Sequence, residues 1–405
     1  MARFLLAWEL GGGMGHVMRL APIAHALHAQ GHALHLVLRD LSGADAALGD
    51  LAASPRVTLW QAPMWLPQLR GLPAPAVYAE LLFRAGYLDA VRLLALVRAW
   101  QALLDAIAPD LLLADHAPTA LLAARGRPLR RAVLCNGFFL PPAVQPMPPF
   151  REWERNDTAR LAQSEARALV TCNAVMAATG GPPLSALHDL LAADAQFLLT
   201  WPELDHYGAG PQGRPGGHYW GALAARDHGL PALWPEGDGE PLFAYLKADY
   251  PAIDAVLQQL AAAPCRTLAH VPGLDAAQRL RHTSAQLRFS DAAVSMVSAM
   301  AQARAVLCHA GAGSVAAALQ AGLPLLMLPT QAEQMLSARR VAACGAGQWL
   351  LQADAGPRLL PVLARVLGDP ALRQRTQALA ARHPPARDGN VALRVAERCI
   401  ALANA

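Results

Sequence analysis

Two glycine-containing turns hold the residues whose types and spacing most clearly suggest ligand binding or catalysis. They are Gly11-Gly12-Gly13-Met14-Gly15-His16 and Cys308-His309-Ala310-Gly311-Ala312-Gly313-Ser314. Glycines let a backbone approach a ligand closely, and exposed N–H groups at a helix start favour an anion. The second turn, which follows an apolar run, therefore predicts a phosphate site, with His309 and the Ser314 hydroxyl as further donors. The alternative is a tight strand-to-helix turn without a ligand.

An acid and an amide follow the next predicted strand, Leu325–Leu328, as Glu333 and Gln334. Because the carboxyl ends of parallel strands share one edge of a sheet, we expect this pair to open into the same crevice as the phosphate turn. A carboxylate and a carboxamide there suit the vicinal hydroxyls of a sugar. The spacing also fits a capping box with Thr330 and Glu333, and both roles can hold together.

The first turn supplies an imidazole for general-base chemistry. Near operating pH, His16 can take the proton of an attacking hydroxyl, and a carboxylate that orients the ring stabilises the imidazolium. Asp115 ends the predicted strand after Pro109-Asp110 and reaches the same edge, whereas Asp110 lies at the opposite end. We predict His16 as base and Asp115 as its support. The alternatives are a structural histidine and a cap for the helix near Thr119.

Two weaker signals concern Lys247 and Asp40. Lys247, the only lysine, lies at the end of the first predicted strand of the second half. Its point charge there either stabilises a leaving diphosphate or simply faces solvent. Asp40 imitates the ribose-binding acid of a dinucleotide site. The fingerprint is broken, however, because His16 stands where the third glycine is needed, so hydride transfer is a minority hypothesis.

The elements that must position these residues alternate between short apolar runs and helical periods. This pattern predicts an α/β fold of two Rossmann-like, doubly wound domains facing a central cleft. The glycine- and proline-rich stretch from Pro202 to Pro241 is the predicted linker. We place the first domain at 1–221, the second at 222–385 and a terminal helical segment at 386–405.

Composition excludes several classes of function. Of 405 residues, 54% are hydrophobic and 16% are charged, which excludes a disordered chain. The net charge of +4 comes from scattered arginines, so we expect no nucleic acid partner. The six cysteines lack zinc spacing and no D-x-D motif occurs, so we expect no metal and no cofactor. Without a signal peptide or an unbroken apolar span, we expect a cytoplasmic protein without a transmembrane segment.

Residues 294–347 resemble the donor-binding signature of GT-B glycosyltransferases of the UDP-glycosyltransferase, macrolide-type (family 1) superfamily. The resemblance covers the H-x-G-x-G-[ST] turn, the following G-x-P and the acid–Gln pair. It implies that His309, the two glycines and Ser314 hold a nucleotide diphosphate and that Glu333 and Gln334 hold the sugar. Gly15-His16 and the segment from Pro109 to Asp115 resemble the family's base turn and its supporting acid. The resemblance also implies that the domain at 1–221 binds the acceptor, that the domain at 222–385 binds the donor, and that the last helix, 391–402, packs back on the first domain.

This sequence departs from the family at two places. Ala317 stands where a ribose-binding glutamate is common, and Ala293-Val294-Ser295-Met296 replaces a Trp-x-Pro-Gln. We therefore assign Phe289 as a stacking surface for the base and keep Val294 in the donor set.

The acceptor site is sparsely encoded. Gly15, Trp65, Phe138 and Phe139 are its candidates, and the aromatic ones either line an apolar pocket or pack on their own core. Arg127, Arg130 and Arg131 either touch anionic lipid head groups, as a peripheral membrane contact, or form a solvated loop.

The predicted function is inverting, metal-independent transfer of a sugar from a UDP- or TDP-linked donor to a hydroxyl of an apolar small molecule or lipid. The alternatives are a non-catalytic nucleotide-sugar-binding subunit and a GT-B epimerase or hydrolase of sugar nucleotides.

Overall fold

The chain divides into two compact units. A computed structural model describes residues 1–67, 69–208, 210, 212–223, 229–384 and 391–405. One unit comprises Met1–Leu223 with Gly389–Ala405, and the other comprises Ala224–Asp388.

Helices and strands alternate along both units. The strands are β1 Arg3–Trp8, β2 Ala33–Leu38, β3 Val57–Gln61, β4 Leu111–Asp115, β5 Arg130–Cys135, β6 Ala195–Leu198, β7 Glu240–Tyr245, β8 Cys265–His270, β9 Leu287–Phe289, β10 Ala305–Cys308, β11 Leu325–Met327 and β12 Gly347–Trp349. The helices are α1 Gly15–Ala29, α2 Ala44–Leu48, α3 Tyr78–Phe83, α4 Ala90–Ile107, α5 Pro118–Ala124, α6 Thr158–Thr179, α7 Ile253–Ala262, α8 Ala276–His282, α9 Met296–Gln302, α10 Ala312–Gln320, α11 Ala332–Ala343, α12 Leu359–Gly368, α13 Pro370–Arg382 and α14 Val391–Ala403. Short 3-10 segments lie at Gly49–Ala53, Leu187–Leu191, Pro202–Leu204 and Gln352–Asp354.

The first unit is built on a six-stranded sheet in the order β3-β2-β1-β4-β5-β6, and every pairing in it is parallel. Parallel sheets are covered on both faces, so their strands read as continuous apolar runs. Strand β4, Leu-Leu-Leu-Ala-Asp, is buried at all five positions, including its terminal acid.

The C-terminal helix α14 belongs to this first unit. It packs against α1, and its Val395, Ala396 and Cys399 enter the same core as Leu20 and Ile23. The last helix therefore contributes to the core of the first unit.

The second unit repeats the plan with a six-stranded parallel sheet in the order β12-β11-β10-β7-β8-β9. Leu242, Ala244 and Leu246 point to one face of this sheet and pack with Val256 and Leu260 of α7. The predicted α/β class with two doubly wound sheets is confirmed.

The strand order places a topological switch point in each sheet, where crossovers leave in opposite directions. It lies between β1 and β4 in the first unit and between β7 and β10 in the second. Open parallel sheets bind ligands beyond the carboxyl ends of the strands at such points. Both glycine turns follow a switch-point strand, because one comes after β1 and the other after β10.

Among the described residues, no helix is long and apolar enough to cross a membrane.

Candidate active site

His16 lies in the first turn of α1, directly beyond the carboxyl end of β1. Its ring stacks on Trp8 of that strand, with centroids 5.2 Å apart and planes 15° apart, and the residue is 5% exposed. Gly11, at φ +85°, lies against the other ring nitrogen, since a Cβ placed there would be 2.5 Å from Nε2. Main chain and indole therefore hold the imidazole on two sides.

Asp115 reaches His16 from the neighbouring strand. Trp8 and Asp115 are in-register partners at the ends of β1 and β4. Oδ1 of the fully buried carboxylate lies 3.2 Å from Nδ1 of His16. The ring N–H is not aimed well enough for a hydrogen bond, and Nδ1 is otherwise without a partner. The two residues form a close contact rather than an aligned dyad.

Arg19 is the strongest partner of Asp115. Its Nη1 donates to Oδ1 at 2.7 Å and to Oδ2 at 2.9 Å, and its side chain is 12% exposed. Arg19 follows His16 by three positions on α1, so the two side chains share one helix face. The carboxylate charge is thus neutralised inside the protein. The alternative role predicted for Asp115, a cap of the helix near Thr119, is wrong, since α5 has Ala117 at its N-cap and no side-chain cap bond.

A second histidine, His116, lies beside His16. It adopts a left-handed backbone at φ +49°, and its ring stacks on Phe139 at 3.6 Å, with the His16 ring at 6.1 Å. Both of its ring nitrogens are buried without a hydrogen-bond partner. Burial is the main cause that lowers the pKa of His116 well below its ordinary range, so this ring stays neutral.

Glu9 lies under the glycine turn as a buried acid. Its carboxylate accepts the Thr119 N–H at 2.8 Å and the Thr119 hydroxyl, while Tyr87 Oη lies 3.1 Å from that hydroxyl. Burial is the largest cause that raises the pKa of Glu9 from 4.5 to about 7, against the lowering effect of the Thr119 bonds. The first turn of α5 is thereby tied to the end of β1.

In the second unit, α10 begins at the glycine turn with open space before it. Gly311 is the N-cap, and no side chain caps the helix. A Cβ at Gly311 or Gly313 would meet no atom of the described residues within 4 Å. The residue in the left-handed region is Ala310, at φ +59°, and not a glycine. The glycines therefore leave room in front of the N–H groups of the helix start, as an anion site requires.

His309 differs from its predicted role as a phosphate donor, because both ring nitrogens are occupied. The Lys247 main-chain N–H donates to Nε2 at 3.0 Å, and Nδ1 lies 2.8 Å from the Leu328 carbonyl. Nε2 is therefore the acceptor and Nδ1 the donor. Burial lowers the pKa of His309, which favours this neutral form. The ring joins the turns after β7, β10 and β11, and Tyr250 packs on it with centroids 5.0 Å apart.

The acid–Gln pair lies at the start of α11. Gln334 is buried, and its Oε1 accepts the Thr330 N–H at 2.9 Å and the Thr330 hydroxyl at 2.8 Å. Glu333 stands in the first turn of α11 and is partly exposed. The N-cap is Gln331, without a side-chain cap bond, so the predicted capping box of Thr330 and Glu333 is wrong. The hydrogen bonds of Thr330 go to Gln334 instead.

The remaining donor candidates differ in exposure. Lys247 is exposed just beyond β7. Phe289 is partly exposed at the end of β9, whereas Val294 is buried and pairs with the main chain of Leu230 in an isolated bridge. Of these three, Lys247 and Phe289 have side-chain surface for a ligand.

The comparisons with known proteins agree with this architecture. Residues 254–402 match the family described as "Erythromycin biosynthesis protein CIII-like, C-terminal domain". No curated protein matches the chain in sequence. One similar solved structure is the glycotransferase of kitacinnamycin, with a TM-score of 0.72 and 19% identity over 99% of this chain and 98% of that one. Another is the glycosyltransferase VinC in complex with DTDP, with a TM-score of 0.69 and 15% identity over 99% of both chains. A third is the spinosyn rhamnosyltransferase SpnG complexed with spinosyn aglycone, with a TM-score of 0.64 and 18% identity over 98% of this chain and 100% of that one.

The chain has the GT-B fold. The resemblance to macrolide-type glycosyltransferases is confirmed for the whole fold and, at the level of sequence, for residues 254–402.

The aromatic acceptor candidates of this GT-B chain separate into two groups. Phe139 belongs to the His16 site, with ring centroids 5.6 Å apart, and Gly15 is exposed at the start of α1. Phe138 packs on Phe150 at 5.1 Å, and Trp65 packs on Gly86 beneath the Arg92 guanidinium. These contacts favour the core interpretation for Phe138 and Trp65.

The basic loop after α5 forms ion pairs within its own unit. Arg127 Nη1 lies 2.5 Å from Asp105 Oδ1, and Arg130 Nη1 lies 3.2 Å from Asp194 Oδ1. Arg131 donates its main-chain N–H to Asp194. These pairs favour the solvated loop over a lipid head-group site. In the part of the chain that the structure describes, no group of three or more metal-ligating side chains occurs.

Sequence reasoning missed Arg19, His116 and Glu9. Arg19 was detectable, because an arginine three residues after a helix-starting histidine shares its face. His116 and Glu9 adjoin predicted residues in sequence, but their burial and contacts depend on tertiary packing.

Proposed function

We propose that this chain is an inverting glycosyltransferase that moves a sugar from a TDP- or UDP-linked donor to a hydroxyl of an apolar small molecule. The observation that carries the proposal is the 3.2 Å contact of His16 with the buried Asp115 carboxylate, in a chain similar to glycosyltransferases over nearly its whole length. VinC is described in complex with DTDP and SpnG with an aglycone, which supports a nucleotide donor and a natural-product acceptor.

In the proposed reaction, Nε2 of His16 takes the acceptor proton while the hydroxyl oxygen attacks the anomeric carbon. The bond from that carbon to the diphosphate oxygen breaks on the opposite face, so the configuration inverts. Asp115 stabilises the imidazolium, a role that requires the ring to turn its Nδ1–H onto Oδ1.

The departing diphosphate binds at the N-terminus of α10. Its negative charge is stabilised by the uncapped helix start, with the Ser314 hydroxyl and the exposed Lys247 as further partners. Glu333 and Gln334 are proposed to hold the sugar, and Phe289 the base. Because the helix start and Lys247 supply the stabilisation, we propose that neither a metal nor a further cofactor takes part. A rate that is unchanged by excess EDTA supports this point, and a rate restored only by Mg²⁺ opposes it.

A transfer assay with the purified chain tests the function. TDP-glucose and UDP-glucose are supplied with 4-methylumbelliferone, a small apolar phenol, and the glycoside and nucleotide diphosphate are measured. The expected result is equal release of both by the parent and a loss of about a thousandfold in His16→Ala. His28→Ala is the matched control, since His28 lies on the same helix but bonds Ser54 Oγ at 2.8 Å.

The alternatives give different products. Nucleotide diphosphate without glycoside, whatever phenol is offered, indicates a hydrolase, and a changed donor sugar indicates an epimerase. A donor that raises the melting temperature but stays intact indicates a binding subunit, because a ligand that binds only the native state stabilises it.

A further inference from the structure

The charge balance around Asp115 distinguishes this site from a simple His–Asp pair. Asp115 is fully buried, and Arg19 Nη1 contacts both of its oxygens, at 2.7 and 2.9 Å. His16 contacts only Oδ1, at 3.2 Å and without an aligned N–H. The Asp115 carboxylate is therefore hydrogen-bonded to the Arg19 guanidinium, and its contact with the His16 imidazole is the weaker of the two interactions.

Besides Arg19 and Asp115, the described residues place a further cation near this site, Arg39, whose charge acts on His116 and Glu9. On its own helix the charged neighbour is Arg19, and from β4 it is Asp115. From the segment after β4 comes His116, which stays neutral because burial lowers its pKa. At the end of β5, Cys135 lies near Arg19 and Asp115, and burial raises its pKa to about 12. Trp8, Phe139 and Gly11 also contact the His16 ring and do not titrate in the working range.

We infer that Arg19 is a positioning residue that keeps His16 a free base by neutralising Asp115, so that the carboxylate supports the imidazolium only when the reaction creates it. This inference rests on the base role proposed above for His16. Without the guanidinium, a buried carboxylate would face the imidazole alone and would draw a proton onto it. A ring that already carries a proton cannot accept one from the acceptor.

The variant Arg19→Met tests this inference through the pH profile. At pH 7 its kcat should fall about tenfold or more, while the KM for TDP-glucose stays at the parent value. The loss should be relieved as the pH is raised towards 9, because the extra proton on His16 is then released. A loss that is the same at every pH would overturn the inference, since it would indicate damaged packing alone.

Two further variants separate charge from packing. Arg19→Lys keeps a positive charge beside Asp115 and should restore the parent profile. Arg160→Met is the matched control, because Arg160 Nη1 bonds the buried carboxylate of Glu80 at 2.7 Å in the same unit. Its pH profile should equal that of the parent. A profile displaced as in Arg19→Met would assign the effect to the loss of any buried ion pair and overturn the inference.

A spectroscopic readout keeps the test independent of transfer activity. The ring Cε1–H signal of His16, assigned by its absence in His16→Gln, should move from the neutral to the imidazolium position at a higher pH in Arg19→Met than in the parent. If Arg19→Met does not fold, Asp115→Asn serves instead, since it leaves the guanidinium beside the ring, and it should displace the transition to a lower pH than in the parent. A transition at the parent pH in either variant overturns the inference, whereas an inactive parent contradicts the proposed function alone.

Discussion

Gly11 lies beside the imidazole of His16, on the side of Nε2. A Cβ on Gly11 would come within 2.5 Å of Nε2, the nitrogen that we assign to proton transfer, and the backbone there has φ +85°. Glycine is thus required twice at this position, once for the left-handed backbone and once for the space that the ring occupies.

Gly11→Ala is therefore expected to reduce kcat by at least tenfold and to destabilise the protein by about 1–2 kcal/mol. Gly13→Ala is its control, because φ is +78° there but no atom lies within 4 Å of an added Cβ. The control should show the loss of stability without the loss of kcat. Thermal unfolding and initial rates measure the two effects, and equal kcat values in both variants would show that Nε2 does not need this clearance.

Gly311→Ala tests the open space before α10. The backbone is ordinary for alanine at φ −63°, and in the part of the chain that the structure describes the added methyl would meet no atom within 4 Å. The free energy of unfolding should therefore change by less than about 0.5 kcal/mol. If a diphosphate occupies that space, the Kd for TDP measured by calorimetry should rise at least tenfold.

Gly368→Ala is the control for that measurement, since Gly368 is also in the second unit and also has no atom within 4 Å. Its Kd should equal that of the parent. Unchanged TDP affinity in Gly311→Ala would place the diphosphate elsewhere.

The raised pKa of Glu9 has a consequence for stability against pH. Burial raises this pKa from 4.5 to about 7, so the native state binds the proton more tightly than the unfolded chain does. The protonated acid therefore adds to the free energy of unfolding below pH 4.5, and this contribution is lost as the pH rises to about 7. The free energy of unfolding lost over this range is at most about 3 kcal/mol.

Glu9→Gln should remove this decline, so that the melting temperature of the variant exceeds that of the parent at pH 8 by more than at pH 5. Glu152→Gln, at an exposed position of the same unit, should leave the parent slope unchanged. A parent and a Glu9→Gln protein with parallel curves would show that the acid is ionised throughout.

Sequence reasoning located both glycine turns, His16, Asp115 and most strands around them, because these signals are local. Strand β4 ends at Asp115 as expected. The 22-residue helix α6 and the edge strand β3 went unpredicted. α6 has a mean hydropathy near neutral and an apolar stripe interrupted by polar residues, and β3 is only partly buried.

The sequence-based assignments differed from the structure where a side chain's partner is set by tertiary contact. His309 has a donor's place in the motif, yet Lys247 and Leu328 occupy both of its nitrogens. Asp115 was paired with His16, yet Arg19 holds it more closely. A motif fixes which residue types gather at an edge of the sheet, but their bonds depend on side chains that converge from several turns.

The anomeric configuration of the product tests the central claim most directly. The parent and His16→Ala are incubated with TDP-α-glucose and 4-methylumbelliferone, and the product is examined by proton NMR. The account predicts a β-linked glycoside from the parent and essentially none from His16→Ala. An α-linked glycoside, or a β-linked one formed equally fast without the imidazole, would contradict it.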